Sequence, residues 1–175
     1  MKLFKSKSSI IGQAGFTLIE ILAAVAITGL IGFGASIATA QVLNQTTKNN
    51  DYTLASRNAL NALYWISHDV SMAQTINGTE GFPQTESLSL YWIGWDNTEY
   101  SANYTLENSV LKRIYTENGQ VTTTIIASNI NPDPSMTCCA LDNGILTVTI
   151  TGSVGEGDKI VNVTKVREIT PRPSL

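Results

Sequence analysis

The sequence predicts an α+β protein in which one long N-terminal helix packs on a C-terminal antiparallel sheet. Apolar residues fill the first part of the chain and then recur at three- and four-residue steps to about residue 75, which is typical of helix. From residue 87 apolar and polar residues alternate, and turn residues separate the runs, which is typical of strands. A helix followed by a sheet makes a two-layer arrangement.

The composition argues against several classes of function. The 175 residues include 11 basic and 14 acidic residues, one histidine and two cysteines, for a net charge of −3. An isoelectric point near 5.1 gives no basic footprint for nucleic acid. His68 and the cysteine pair Cys138-Cys139 are too few for a tetrahedral zinc site of four separated ligands. A single histidine also argues against a hydrolytic Ser-His-Asp triad as the basis of function. We therefore predict a protein that is not an enzyme and has no catalytic residue, no cofactor and no metal.

The first helical segment is predicted to cross a membrane. From Phe16 to Leu43 the only charged residue is Glu20, and at about 1.5 Å per residue this helix would reach roughly 42 Å, more than the roughly 30 Å hydrocarbon core. The segment is preceded by three lysines, Lys2, Lys5 and Lys7, and by no acidic residue. This charge pattern favours a cytoplasmic N-terminus and an external C-terminal domain. A secretory signal would be cut after its apolar region, whereas the small residues Ala14-Gly15 stand before it.

Glu20 stands five residues into this apolar segment. A carboxylate inside a span costs about 2.5–3.5 kcal/mol on insertion scales and normally has a partner and a function. The residues around it, Gly15-Phe16-Thr17-Leu18-Ile19-Glu20 after a short lysine-bearing leader, resemble the signal of type IV prepilins and type II secretion pseudopilins. The resemblance covers about residues 2–45.

The resemblance implies how the chain is processed and what it binds. A prepilin peptidase would cut between Gly15 and Phe16, and the new amino group of Phe16 would be methylated. Glu20 would pair with the Phe16 amine of a neighbouring subunit, which sets register between subunits more than it adds stability. The implied partners are other pilins or pseudopilins, the peptidase, an inner-membrane assembly platform and membrane lipid, and the implied fold is pilin-like.

The span also offers a row of small residues at four-residue steps after Glu20, which would let helices approach closely in lipid. The row is Ala24, Thr28, Gly32, Ser36 and Ala40. Such residues are also frequent in spans generally, so this pattern alone leaves both interpretations open. Many type IV pilins have a helix-breaking proline near this point, where the helix melts in the filament, and this chain has none there. The resemblance implies that Gly29, Gly32 and Gly34, which each weaken a helix by about 1 kcal/mol relative to alanine, serve the same end.

A second helical segment follows the polar residues 44–50, and the two are predicted to form one helix over about residues 16–75 that ends at Asn77-Gly78. Arg57, Asn61 and Asp69 are expected to face away from the sheet, and His68-Asp69 is interpreted as a solvated pair rather than an acid–base site. The expected apolar face consists of Tyr52, Ala55, Ala59, Ala62/Leu63, Ile66, Val70 and Ala73. The domain boundaries are therefore a leader over 1–15, a membrane helix over 16–43, its amphipathic continuation over 44–76 and a β domain over 77–175.

The β domain is expected to form an antiparallel sheet. The predicted strands are Ser87–Trp95, Tyr100–Leu106, Val110–Tyr115, Val121–Ala127, Ile145–Thr151 and Ile160–Ile169. Turns are expected at Asp96-Asn97, Glu107-Asn108-Ser109, Glu117–Gln120, Asp142–Gly144 and Gly152–Gly157, with a loop over Asn131–Ser135. Tyr91, Trp92 and Trp95 are expected to pack in the sheet core, the alternative being a patch that binds a partner.

The cysteine pair and the glycine-rich segment before the last strand each allow more than one interpretation. Cys138 and Cys139 are compatible with a strained vicinal disulfide, since adjacent Cα atoms lie about 3.8 Å apart, with two free thiols or with bonds to other chains. Gly152–Asp158 is interpreted as a plain turn, with weak calcium binding at Glu156 and Asp158 as the alternative.

The order of helix, aromatic strand and hairpin also resembles J-type minor pseudopilins and PilW-like minor pilins. We therefore expect a minor pilin or pseudopilin that initiates or caps a type IV pilus or a type II secretion pseudopilus, first stored in the inner membrane by its single span. The alternatives are a major pilin and a membrane-tethered binding module or hydrolase that does not polymerise.

Overall fold

The computed structural model describes residues 16–173, which fall into two compact units divided between Gln45 and Thr46. Helix α1 runs from Leu18 to Met72 and contributes to both units. In the first unit every described residue is exposed. In the second unit α1 is amphipathic, as predicted, and buries all but one of the expected apolar residues; the exception is Tyr52, which is 54% exposed.

Eight strands follow the helix and form two antiparallel sheets. The first sheet has the order β1-β2-β3-β4-β5, with β1 at Thr75–Asn77, β2 at Leu88–Ile93, β3 at Glu99–Glu107, β4 at Val110–Glu117 and β5 at Gln120–Ala127. The second has the order β6-β7-β8, with β6 at Cys138–Asp142, β7 at Ile145–Val154 and β8 at Val161–Ile169. A short 3₁₀ turn, Gly157–Lys159, precedes β8. The predicted α+β class is confirmed.

The two sheets replace the single sheet that the sequence predicted. The chain leaves β5 through the loop at Asn131–Ser135, where Pro132 and Pro134 cannot donate to a strand ladder. It returns as β6, which pairs with β7 rather than with β5. A single bridge between Ile130 and Gly152 links the loop to the second sheet.

Helix α1 ends at Met72, three residues earlier than predicted. Thr75, Ile76 and Asn77 are paired with β2 in register with Tyr91, Leu90 and Ser89. These pairs give the backbone groups of the segment partners in a sheet, and β-branched Thr75 and Ile76 suit a pleated strand. The end of the amphipathic pattern therefore continues into an edge strand rather than into a final helical turn.

The core of the second unit lies between α1 and the inner faces of the sheets. Three alanines of α1, Ala55, Ala59 and Ala62, are fully buried there, and their small side chains let the sheets come close. The approach is tight at Gly152 of β7, where a Cβ atom would overlap the backbone of Ala55. The larger buried side chains include Leu63, Ile66, Leu88, Leu90, Tyr104, Leu111, Leu146 and Ile150.

Candidate assembly site

The start of α1 is closed by a capping box formed by Thr17 and Glu20. The backbone N–H and the hydroxyl of Thr17 both donate to Oε2 of Glu20 at 2.8 Å, and the Glu20 N–H donates back to Thr17 Oγ1 at 3.4 Å. This reciprocal pattern satisfies donors that a helix start otherwise leaves without partners. The pattern Thr-x-x-Glu is visible in the sequence, so this second role of Glu20 was predictable but was missed.

Glu20 keeps accepting capacity for a group outside its own chain. Both Thr17 bonds end on Oε2, and a carboxylate has a second oxygen with its own lone pairs. Phe16, the residue whose amine the resemblance assigns as partner, is 85% exposed. Gly15, the other residue of the predicted cleavage site, lies outside the described residues. The cleavage, the methylation and the pairing of Glu20 stay predictions.

The small-residue row lies on an open surface of the helix. Ala24, Thr28, Gly32, Ser36 and Ala40 are all exposed, and a Cβ atom added at Gly32 would meet nothing within 4 Å. The Thr28 hydroxyl donates to the Ala24 carbonyl at 2.7 Å, and the Ser36 hydroxyl donates to the Gly32 carbonyl at 2.9 Å. Because these hydroxyls are satisfied within the helix, the row can contact lipid or a second helix without an unpaired donor.

The glycine cluster does not interrupt α1 in the single chain. The helix continues through Gly29, Gly32 and Gly34 and on through the polar residues 44–50. The predicted melting refers to an assembled filament and stays a prediction. Among the described residues, α1 is the one helix whose length and apolar composition would allow it to cross a membrane.

A comparison with protein families matches the segment that contains the Thr17–Glu20 cap and the start of α1. Residues 11–36 match the family model of the prokaryotic N-terminal methylation motif. The chain carries a prepilin-type N-terminal signal. That signal and the single apolar helix fit anchoring in the inner membrane, and proteins with this signal are structural rather than enzymatic. Neither the curated proteins nor the solved structures contain a match to this chain.

The second unit of the chain holds a buried ion pair between Asp69 and Arg113, and the sequence analysis was wrong about the position of Asp69. Asp69 is fully buried rather than solvent-facing. Its Oδ2 accepts from Arg113 Nε at 2.6 Å and from the Tyr104 hydroxyl at 2.5 Å, and its Oδ1 accepts from Arg113 Nη2 at 3.0 Å. His68 Nδ1 also lies 3.3 Å from Oδ1, so the two neighbours do contact each other. Burial, and then the nearby carboxylate of Asp69, raise the pKa of Tyr104, which keeps its hydroxyl a donor.

Aromatic rings surround the guanidinium of this ion pair. Arg113 Cζ lies 4.2 Å from the ring centroid of Tyr115 and 5.2 Å from that of Trp65. Trp92 is buried in β2, as predicted, and stacks on Tyr100 with centroids 5.7 Å apart and planes 9° apart. The ion pair therefore ties α1 to β3 and β4 beneath an aromatic surface.

Trp95 does not pack in the core, although the sequence predicted this for all three aromatic residues near β2. It is 94% exposed, because β2 ends at Ile93 and Trp95 belongs to the turn that follows. Arg57 is exposed, as predicted. Asn61 is exposed as well, but it does not face away from the sheet, because its side-chain amide donates to the Ile126 carbonyl of β5.

The cysteines are free thiols in the described structure. They are neighbours on β6, where successive side chains point to opposite faces, so Cys139 is buried and Cys138 is half-buried. Burial raises the pKa of Cys139 to about 12, which keeps this thiol protonated and unreactive. Within residues 16–173, no group of three or more His, Cys, Asp or Glu side chains is arranged to hold a metal ion.

Proposed function

We propose that the chain is a minor pilin or pseudopilin, a structural subunit that initiates or caps assembly of a type IV pilus or a type II secretion pseudopilus. The observation that carries the proposal is the methylation motif at residues 11–36, followed by an apolar helix whose small-residue face is uncovered. The resemblance of the domain to J-type pseudopilins and PilW-like pilins supports the minor role. The boundaries 1–15, 16–43, 44–76 and 77–175 belong to the same proposal.

The proposed mechanism is mechanical. The apolar helix holds the subunit in the inner membrane with residues 1–15 on the cytoplasmic side and the β domain outside. Cleavage after Gly15 frees the amine of Phe16. Glu20 of one subunit then accepts from the Phe16 amine of the next, through the carboxylate oxygen that the Thr17 cap does not use, and the small-residue rows bring the helices together.

The mature N-terminus tests the proposal most directly. Mass spectrometry of the membrane-extracted protein should find a chain that begins with N-methylated Phe16. The control is a Gly15→Val variant, whose side chain should obstruct the cut and leave the leader attached. An intact Met1 in the unaltered protein, or a cut beyond Leu43, would contradict the prepilin mechanism.

Glu20→Ala tests the assembly step. The variant should insert in the membrane normally, whereas its incorporation into filaments should fall about tenfold or more, because an unpaired Phe16 ammonium in an apolar bundle costs more than the 1.4 kcal/mol that a tenfold change requires. Immunoblots of membrane and sheared-filament fractions give the ratio.

Thr17→Val is the matched control for this test. It removes the hydroxyl of the capping box and keeps the Glu20 carboxylate, so it should assemble nearly as well as the unaltered chain. Equal losses in the two variants would mean that Glu20 acts only as a helix cap. Unchanged incorporation of Glu20→Ala would remove Glu20 from the assembly mechanism.

A further inference from the structure

Two open cavities lie on either side of the exposed Trp95 in the second unit. One has a volume of about 490 Å³ and the other about 460 Å³, and both are lined by Gly94, Trp95 and Arg172. We call these two cavities, with the Trp95 ring between them, the Trp95 cleft. Sites for small ligands and side chains are typically concave, with aromatic walls and a few placed polar groups.

The turn that carries Trp95 is fixed in place. The Gly94 N–H donates to the Thr98 carbonyl at 2.9 Å, and the Thr98 N–H donates to Asp96 Oδ1 at 3.1 Å. A Cβ atom at position 94 would lie 2.9 Å from the Tyr100 ring, so glycine allows the turn to sit directly on that ring. Trp95 is thus presented to solvent on a braced turn, so little backbone entropy is left to lose when a partner binds.

Two acidic side chains of the cleft favour a positively charged ligand there. Asp96 and Glu117 line the cavity beside Tyr100 and Tyr115. Partial desolvation, and then the charges of Asp96 and Glu117, raise the pKa of Tyr100, which reports a negative potential at the rings. Arg113 also lines this cavity, but its charge is already matched by the buried Asp69.

The cleft already holds one cation from its own chain. Arg172 lies in the segment after β8, and its Cζ is 4.9 Å from the centroid of the Trp95 ring. Most of the ring stays open, since Trp95 is 94% exposed despite this contact. A guanidinium over an indole face is a favourable cation–π pair, so the internal contact shows which chemical group the ring accepts.

We propose that the Trp95 cleft binds an arginine side chain of a partner protein, and that Arg172 occupies the same ring face until the partner displaces it. The partner's guanidinium stacks on Trp95 and donates hydrogen bonds to Asp96 or Glu117, which combines a planar cation with an aromatic face and a carboxylate. An exposed tryptophan with arginine as its partner is also a typical composition for the centre of a protein interface.

The test is a titration of the full chain in detergent micelles with the peptide acetyl-Thr-Pro-Arg-Pro-amide, followed by NMR of the indole N–H signals. The signal that is missing in Trp95→Ala identifies Trp95. This signal should shift on titration of the unaltered chain. In Arg172→Ala, which removes the internal competitor, the peptide should bind at least threefold more tightly.

Three controls keep the proposal falsifiable. Trp95→Ala should lose binding, whereas Val166→Ala, at another solvent-facing apolar residue, in β8 and 60% exposed, should not. A peptide with glutamine in place of arginine should not bind. Equal binding of the two peptides, or binding of the neutral sugar cellotriose without binding of the arginine peptide, would overturn the proposal. Since the unassembled chain is measured, the result does not depend on whether the protein enters a filament.

Discussion

Two carboxylates of this chain lie on apolar helix surfaces, and they are satisfied in different ways. Asp69 is buried and has its cation, Arg113, and a hydroxyl donor, Tyr104, within its own chain. Glu20 is exposed and is bonded only through one oxygen to Thr17. The first residue therefore serves the fold of the chain, whereas the second keeps an oxygen free for the intermolecular contact that we propose.

The Asp69–Arg113 pair gives a prediction about stability. Asp69→Ala should lower the free energy of unfolding by about 3–5 kcal/mol, because it leaves the largely buried Arg113 without its counter-charge. Urea unfolding of the full chain in micelles, followed by circular dichroism, measures the change. Glu107→Ala is the control: it removes the exposed partner of Lys112, and such a pair contributes at most about 1 kcal/mol.

The double variant Asp69→Leu/Arg113→Leu separates the two causes of instability. Replacing both charges with apolar groups removes the desolvation cost together with the attraction, so this variant should recover much of the stability that Asp69→Ala loses. A loss in Asp69→Ala no larger than that in Glu107→Ala would contradict the structural importance of the buried pair.

The position of Asp69 could have been predicted from spacing. Ile66, Asp69 and Ala73 follow one another at three- and four-residue steps, so the periodicity that identified the buried face already included the aspartate. Its charge led to the opposite assignment. What no spacing shows is its partner, because Arg113 is separated from Asp69 by β1, β2 and β3.

At the scale of elements, local turn chemistry explains why the hairpins were predictable. Asn108-Ser109, Asn118-Gly119 and Asn143-Gly144 each have positive φ at both residues, which is the geometry of type I′ turns. These turns twist the backbone in the direction that strands require, and asparagine and glycine tolerate that conformation. The strands on either side of the first two turns accordingly lie within two residues of their predicted bounds.

Strand β6 was missed although the turn after it was recognised. Its residues, Cys138–Asp142, have no clear alternation, and only Cys139 among them is buried. A type I′ turn needs two strands to join, so Asn143-Gly144 was itself the signal for a strand on its N-terminal side. The division into two sheets depends on long-range pairing, which local patterns do not contain.

The contact between α1 and β7 gives a prediction at the element scale. Gly152→Ala should destabilise the second unit by more than about 2 kcal/mol, because the added Cβ would overlap the Ala55 backbone and the packed elements must move apart. Gly144→Ala is the matched control in the turn before β7. Nothing lies within 4 Å of a Cβ there, and only the positive φ is strained, at a cost of about 1–2 kcal/mol.

Thermal unfolding of both glycine variants tests whether Gly152→Ala is the more destabilising of the two. A melting temperature of Gly152→Ala at or above that of Gly144→Ala would mean that the helix and β7 can separate at little cost. The close packing of Ala55 on Gly152 would then not be a determinant of the fold.

At the scale of the whole chain, the residues of the buried core are separate from the exposed apolar residues that we propose for assembly. The buried apolar residues of the described structure run from Ala55 to Ile169, whereas the large apolar residues from Phe16 to Leu43 are exposed. Exposed apolar surface of this extent marks a membrane or protein interaction site. The second unit therefore contains a core of its own.

A fragment of residues 46–175 should consequently be soluble and monomeric and should unfold in one cooperative transition. A fragment of residues 77–175, which begins at the predicted start of the β domain, should aggregate, because it lacks the buried face of α1 that includes Ala59, Ile66 and Val70 and leaves both sheets uncovered. Analytical ultracentrifugation and urea unfolding compare the two fragments. Equal stability of the shorter fragment would show that the sheets fold without the helix, and the boundary of the folded unit would then lie at residue 77 rather than at Thr46.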